Sequence, residues 1–371
     1  MQRSKVYFTD MRCPIGLNLL EKLDKLIVEA GISKIDFKNR FVAIKIHFGE
    51  PGNLSFLRPN FAKTVALRIK ALGGNPFLTD CGTLYVGRRN NALLHLEAAM
   101  ENGFSPYSTG CQIIIGDGLR GTDDIEVPIR GGQYLKTAMI GRAVMDADII
   151  ISLNHFKGHE CTGFGGAIKN LGMGCGSRAG KMIMHNDGKP SVSPEICIGC
   201  QFCARFCAHG AIEFTSGKAS INTNKCVGCG GCIGSCGFDA IESEYSSAND
   251  MLNYKIVEYA KAVVDGRPHF HISIVNQVSP YCDCHGENDA AIVPDIGMFA
   301  SYDPVALDKA CIDAVNNAPA LKGTVLDDVA QCNDHFTSIH PATDWRQQIR
   351  HAETLGLGSG EYELVTIKCD S

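Results

Sequence analysis

The stretch FVAIKIHFGEPGNLSFLRPNFAKTVALRIKALGGNPFLT, residues 41–79, reads as strand, helix and strand in succession. Phe41–His47 is an apolar run of strand length. Pro59, whose fixed φ suits a first helical turn, opens a helix through Leu72, and Pro76–Thr79 is again strand-like. The alternation continues outward on both sides. Upstream lie a strand over Lys5–Thr9 and a helix over Gly16–Ala30. Downstream come a helix over Asn91–Asn102, a strand over Gln112–Gly116, a helix over Gln133–Met145 and a strand over Asp148–Leu153. Later the pattern resumes with a helix over Ala248–Val264, strands at His271–Val275 and Ala291–Val293, and a helix over Asp303–Asn316 capped by Asp303 and Pro304. Such alternation predicts an α/β fold, a largely parallel sheet flanked by helices. After Ala318 the periodicity weakens to a peripheral helix and strand.

Between the two halves stand eight of the chain's 18 cysteines, as Cys197-x2-Cys200-x2-Cys203-x3-Cys207 and Cys226-x2-Cys229-x2-Cys232-x3-Cys236. The second run repeats the first, and Ala211-Ile212-Glu213 is echoed by Ala240-Ile241-Glu242. Three thiolates at this spacing can wrap one face of a cubane, while the fourth, turned away, reaches a neighbouring cluster. One [4Fe–4S] cluster is therefore assigned to Cys197, Cys200, Cys203 and Cys236, and the other to Cys226, Cys229, Cys232 and Cys207. Zinc sites use two separated pairs instead, and disulfides would not explain the repeat. The segment from about Ser193 to Ser243 resembles the bacterial two-cluster ferredoxins, which implies an inserted α+β ferredoxin-type module. It departs from that family where a proline usually follows the fourth cysteine, with Ala208 and Gly237 in its place. The expected organisation is an α/β domain begun in residues 1–190, the module in 191–245, and the rest of the α/β domain with its tail in 246–371. The joints fall near Lys189-Pro190 and Ser246-Ser247.

Composition narrows the partners. The 371 residues are 45% hydrophobic, as in a globular core, and carry a formal net charge of -5 with both signs interspersed. No nucleic-acid surface is indicated. The first 30 residues contain no signal-peptide pattern, and no apolar run approaches the roughly 18–20 residues of a membrane span. A cytoplasmic protein is expected, which suits many free thiols, with a redox partner protein or a small molecule as its partner.

A second site gathers at the strand ends, where ligands bind in open α/β sheets: Asp10, His47, Asp80-Cys81, Asp117, Asn154-His155 and Asn276. Any one of these is more often a turn former or helix cap; six in register point to a pocket. Its densest part is His155-Phe156-Lys157-Gly158-His159, followed by Gly163-Phe164-Gly165-Gly166-Ala167-Ile168-Lys169-Asn170-Leu171-Gly172-Met173-Gly174. Histidine suits proton transfer and lysine suits anion binding, so His155 and His159 are acid/base candidates, with Lys157, Lys169 and His47 to bind an anionic group. Gly163, Gly165 and Gly166 would let backbone approach a cofactor or ligand, with Asp80 nearby. A solvated basic loop is the plain alternative. No phosphate loop or complete dinucleotide fingerprint is present. Cys282-Asp283-Cys284-His285 offers two thiols and an imidazole, which could hold zinc or another transition metal, or else form a redox or merely buried thiol pair.

These residues, with Lys45-x-His47-Phe48-Gly49, Asp80-Cys81-Gly82-Thr83 and Asp303-Pro304-Val305-Ala306, resemble the domain-of-unknown-function 362 family. That family is often fused to a ferredoxin-type module and described only as iron–sulfur proteins. The stretch His159-x3-Gly163-Phe164-x-Gly166-x2-Lys169 is also similar to one in the nickel-pincer lactate racemases, where the histidine acts as acid or base and the lysine anchors the cofactor. Three functions follow: an iron–sulfur oxidoreductase relaying electrons to a substrate at the strand ends, a simple electron carrier that docks a partner, or a non-redox racemase-like isomerase with structural clusters.

Overall fold

The computed structural model describes residues 3–84, 87–186, 190–205, 207, 209–226, 228, 230–233, 235–238, 240–243, 249–329 and 334–368. Cys229, Ala208, Lys189, Ser246, Ser247, Ala248, Cys332 and Cys369 lie outside the described residues. Eight strands form one sheet: β1 (Ser4–Asp10), β2 (Phe41–Lys45), β3 (Asn75–Asp80), β4 (Gln112–Ile115), β5 (Ile149–His155), β6 (His269–Val275), β7 (Gly297–Ser301) and β8 (Tyr362–Thr366). Their order is β8-β1-β7-β6-β5-β2-β3-β4. Only β7 runs against its neighbours β1 and β6; the other pairings are parallel.

The central strands are apolar on both faces, as a parallel sheet covered on both sides requires. Val42, Ile44, Ile149 and Ile151 pack beneath α1 (Leu19–Glu29) and α2 (Pro59–Ala71). The alternate residues Ala43 and Ile150 face the opposite core, built with α3 (Ala167–Cys175), α5 (Asn249–Val264) and α6 (Pro304–Asn316); α4 (Arg178–Asn186) follows α3. Ile44, Ile150 and Ile151 have no exposed surface, and each such side chain stabilises by about 1.5–3 kcal/mol.

Local chemistry sets the element ends. Asn18 accepts the N–H groups of Leu20 and Glu21, and Glu21 reaches back to the Asn18 N–H. This capping box starts α1 at Leu19, later than the expected Gly16. Pro59 and Pro304 stand in first turns as read, with Asp303 accepting from Val305 and Ala306. Residues Gln133–Met145, expected to be helical, are instead a loop, a strand over Thr137–Gly141 paired with Asp124–Pro128, and a short helix over Arg142–Asp146. The strand pairing takes the backbone groups that the later turns of a helix would need, while the Glu258 carboxylate accepts the N–H groups of Gln133, Tyr134 and Leu135 in the loop before it. Ala291–Val293 is buried irregular chain rather than strand, and the tail strand β8 is an edge of the main sheet.

β2 leads to α2 on one face, while the adjacent β5 leads to α3 on the other. Loops leaving neighbouring strand ends toward opposite faces open the crevice at which doubly wound sheets bind ligands. No helix among the described residues is long and apolar enough to cross a membrane.

In the cysteine-rich segment, Pro190–Val192 pairs with Ile241–Ser243, and Ile212–Thr215 forms a hairpin with Lys218–Ile221. Its hydrogen bonds repeat as its sequence does. Ser193 N–H donates to Ala240 O and Asn222 N–H to Ala211 O, both at 2.8 Å. The Cys207 sulfur accepts from Ala211 N–H at 3.2 Å, and the Cys236 sulfur from Ala240 N–H at 3.3 Å.

Candidate functional site

A cavity of about 510 Å³ opens where β2, β3 and β5 end. Lys45, at the end of β2, has no exposed surface. Its ammonium is held by Asp80 at 2.9 Å and by the Asn170 side-chain oxygen at 2.7 Å. Asn170 in turn donates to Lys45 O and to the Asn154 side chain, tying α3 to both central strands. Burial alone would raise the Asp80 carboxyl, but Lys45 and then His95 hold it well below the usual range. His47 accepts the Gly49 N–H at Nδ1, while Nε2 lies 2.9 Å from the Arg89 guanidinium. Burial and that guanidinium push the ring well below its ordinary pKa. His47 is thus uncharged, and Arg89, paired with Glu50 at 2.7 Å, is the cation that the sequence reading missed there.

The second wall is a β-turn, Cys282-Asp283-Cys284-His285, closed by a hydrogen bond from His285 N–H to Cys282 O. Asp283 pins it: the carboxylate takes Lys157 at 2.9 Å and His155 Nδ1 at 2.8 Å, and the carbonyl accepts from Glu50 N–H. His155 Nε2 donates to Asn276 O at 2.8 Å. Because both nitrogens face acceptors, the His155 ring acts as a double donor that orients Asp283. Burial favours protonation of Asp283, but His155 and Lys157 overcome it and hold the carboxyl low.

Above this turn Lys169 Nζ donates to Cys282 Sγ at 3.4 Å. The hydrogen bond from Cys284, helped against burial by Lys169 and His159, keeps Cys282 well below the usual thiol range; the same bond and burial push Cys284 well above it. Burial opposes the Lys169 charge, yet Cys282, Cys284 and Glu160 raise its pKa. The ligand atoms of His159, Cys282 and Cys284 lie within 4.8 Å of one another, as do those of Glu160, Cys284 and His285. Either group could hold a metal ion, but the expected trio of Cys282, Cys284 and His285 is divided between them, with His285 drawn to Glu160 at 3.0 Å. His159 Nδ1 accepts the N–H groups of Cys161 and Thr162 at 3.1 and 3.3 Å. Its hydrogen therefore sits on Nε2. A metal-bound imidazole donates its other N–H to an acceptor, so His159 is set in the tautomer that gives a hydrogen rather than the one that ligates.

The remaining candidates divide. Gly165 and Gly166 line the cavity, but a Cβ on Gly166 would stand 2.3 Å from the Asp308 carboxylate that caps α3. Gly163, at φ +81, opens the short strand Gly163–Gly165 and is backed by Trp345. Packing explains both positions. Asp10 is tied to Lys22 at 2.6 Å on the far side of β6 and β7, and Asp117 accepts from Gly82 N–H.

In the cysteine-rich segment, Cys197, Cys200, Cys203 and Cys236 line one small cavity walled by Ile198, Phe202 and Phe214. The second run includes Cys229, outside the described residues. The segment's core takes in Leu84 and Met182 from the main domain. A Cβ on Gly230 would meet the Arg178 side chain at 2.7 Å, so backbone lies directly on α4, whose Lys181 and His185 line the strand-end cavity.

Fold and site define a doubly wound α/β protein with a polar crevice at its switch point. The family described as a domain of unknown function (DUF362) matches residues 42–313, and the chain belongs to that family. No curated protein matches the chain. Among solved structures, the lactate racemase apoprotein from Thermoanaerobacterium thermosaccharolyticum is similar with a TM-score of 0.37 at 12% identity, over 74% of this chain and 51% of that one. A protein from Thermotoga maritima gives 0.36 at 15% identity, over 79% and 57%. The chain thus spans little more than half of either, and likeness at this level says nothing of shared chemistry.

Proposed function

We propose that the protein is an iron–sulfur oxidoreductase whose cysteine-rich segment is a ferredoxin-type module with two [4Fe–4S] clusters, serving a small-molecule pocket at the strand ends. The carrying observation is the set of thiols around one cavity. Cys197, Cys200 and Cys203 from one run meet Cys236 from the other there, the division of ligands that the spacing requires. A single zinc ion, with Zn–S near 2.3 Å, would draw its sulfurs to within about 4 Å of one another. Among the described residues, every group of His, Cys and acidic side chains that close lies in the strand-end cavity instead. By the repeat, Cys226, Cys229, Cys232 and Cys207 would hold the second cluster. Such clusters supply one-electron transfer when bound.

The chain's own groups do the rest. The segment rests on α4 and shares a core with Leu84, both bordering the pocket, so the two sites are neighbours. His159, with its hydrogen on Nε2, points a hydrogen-bond donor into the pocket. Lys157 and Lys169 supply positive charge for an anionic substrate, offset at rest by Asp283 and Cys282. A reducing cytoplasm suits these free thiols.

Anaerobic purification with metal and sulfide analysis tests this: about eight irons and eight acid-labile sulfides per chain are expected. Iron near zero after reconstitution would sink it. A racemase-like isomerase is the second reading, favoured by His159 and Lys169 meeting at one cavity; in that case cluster reduction leaves turnover unchanged.

A further inference from the structure

We infer that Cys282 and Cys284 form a redox-active thiol pair that exchanges with a disulfide admitted to the strand-end cavity. This names a substrate class for the proposed pocket and rests on that reading only for the pair's re-reduction. Both residues line the cavity, and they occupy the first and third positions of one β-turn. The turn cannot drift, because the Asp283 carboxylate and carbonyl and the His285 carbonyl are each held, the last by the Asn53 side chain. The Lys169 ammonium lies 3.4 Å from the Cys282 sulfur. Two thiols, a cation and an N–H-bearing imidazole within reach are the parts that thiol–disulfide exchange needs. The His159 tautomer leaves the pair poorly supplied for metal binding, the main competing use of these sulfurs.

The step balances. Cys282 thiolate attacks one sulfur of an incoming disulfide RSSR, forming a mixed disulfide and releasing RS⁻. The Lys169 ammonium gives a proton to that thiolate, making RSH, and takes the Cys284 proton in its place. The Cys284 thiolate then attacks Cys282, closing the Cys282–Cys284 disulfide and expelling the second RS⁻. Two electrons pass from the pair to the incoming disulfide. The two directions of attack are unequal: Lys169 sits on Cys282, which makes it the entering thiol and Cys284 the resolving one.

Glutathione disulfide is the probe. Anaerobic full-length protein is treated with it, quenched in acid, alkylated and mapped by mass spectrometry. Wild type should show a Cys282–Cys284 disulfide. Cys284→Ser should trap glutathione on Cys282 in about tenfold excess over the adduct formed on Cys284 in Cys282→Ser, following thiolate character. Both thiols alkylated as in untreated protein, equal adducts in the two variants, or a stoichiometric metal shielding the pair would overturn the inference. Iron content and cluster spectra of the same samples separate the two ideas. Inert thiols with full iron remove the pair alone; normal exchange without iron removes the cluster reading alone.

Discussion

Around the strand-end cavity, Lys45, Asp80, Asp283 and Lys157 are charges held between strands whose Val, Ile and Leu side chains are wholly buried. Among the described residues of the cysteine-rich segment, one buried cluster joins Cys197, Cys203, Ala219, Ile233, Ala240 and Ile241 to Leu84 and Met182 from outside it. One region is preorganised by a large apolar frame that bears the cost of enclosing its charges. The other places two of its cysteines, Cys197 and Cys203, inside its buried cluster. Under the proposed function, bound clusters would complete that packing.

The largest effect should come from removing the proposed clusters. In a Cys203→Ser, Cys236→Ser variant, or after iron chelation, limited proteolysis should cut rapidly within residues 191–245, because metal binding in such a module is itself folding energy. The sheet should keep its unfolding transition. A segment equally protected without iron would erase the contrast between the regions.

The pocket should answer differently, to charge rather than to metal. Asp283→Ala leaves Lys157 buried without its carboxylate and His155 Nδ1 without an acceptor. Breaking one side of a buried pair costs about 3–5 kcal/mol. Denaturant unfolding of iron-replete protein should show a loss of that size with iron content unchanged. A loss below about 1 kcal/mol would mean that solvent already screens the pair.

The two regions were also unequally legible. Phe41–Lys45, Pro59 and Asp303 announce themselves locally, and so does the cysteine repeat, since each depends on residues only a few positions away. Gln133–Met145 misleads because its middle, Thr137–Gly141, pairs with Asp124–Pro128, a strand that its own sequence does not announce. The strand-end rule found His47, Asp80 and His155. It also included Asp10, because strand order is not written in any one strand and β6 and β7 intervene. Arg89 had no local signal, and Asn170 stood in the glycine-rich stretch with nothing to mark its tie to Lys45 and Asn154. Asp283 did, lying between two cysteines, but its role as the anchor of their turn depends on Lys157 and His155 from another strand end.

The smallest effect concerns a carboxyl that lacks the cations its neighbours enjoy. Among the described residues, Asp308 accepts the N–H groups of Ala167 and Ile168 at the start of α3, the helix that carries Lys169 and Asn170. Burial outweighs those two donors and pushes its pKa up to about 7, against 3.8 when exposed. A folded-state pKa raised this way favours the protonated acid. Its stabilisation is complete below about pH 4 and is lost as pH rises through 7, with a slope of up to about 1.4 kcal/mol per pH unit in between. Asp308→Asn keeps an acceptor for α3 and removes the titration. Wild type minus variant should therefore lose stability from pH 4 to 7 and run level above. Parallel curves would show that the two helix N–H groups offset burial after all, and that Asp308 is ionised like Asp80 and Asp283, with no cation beside it.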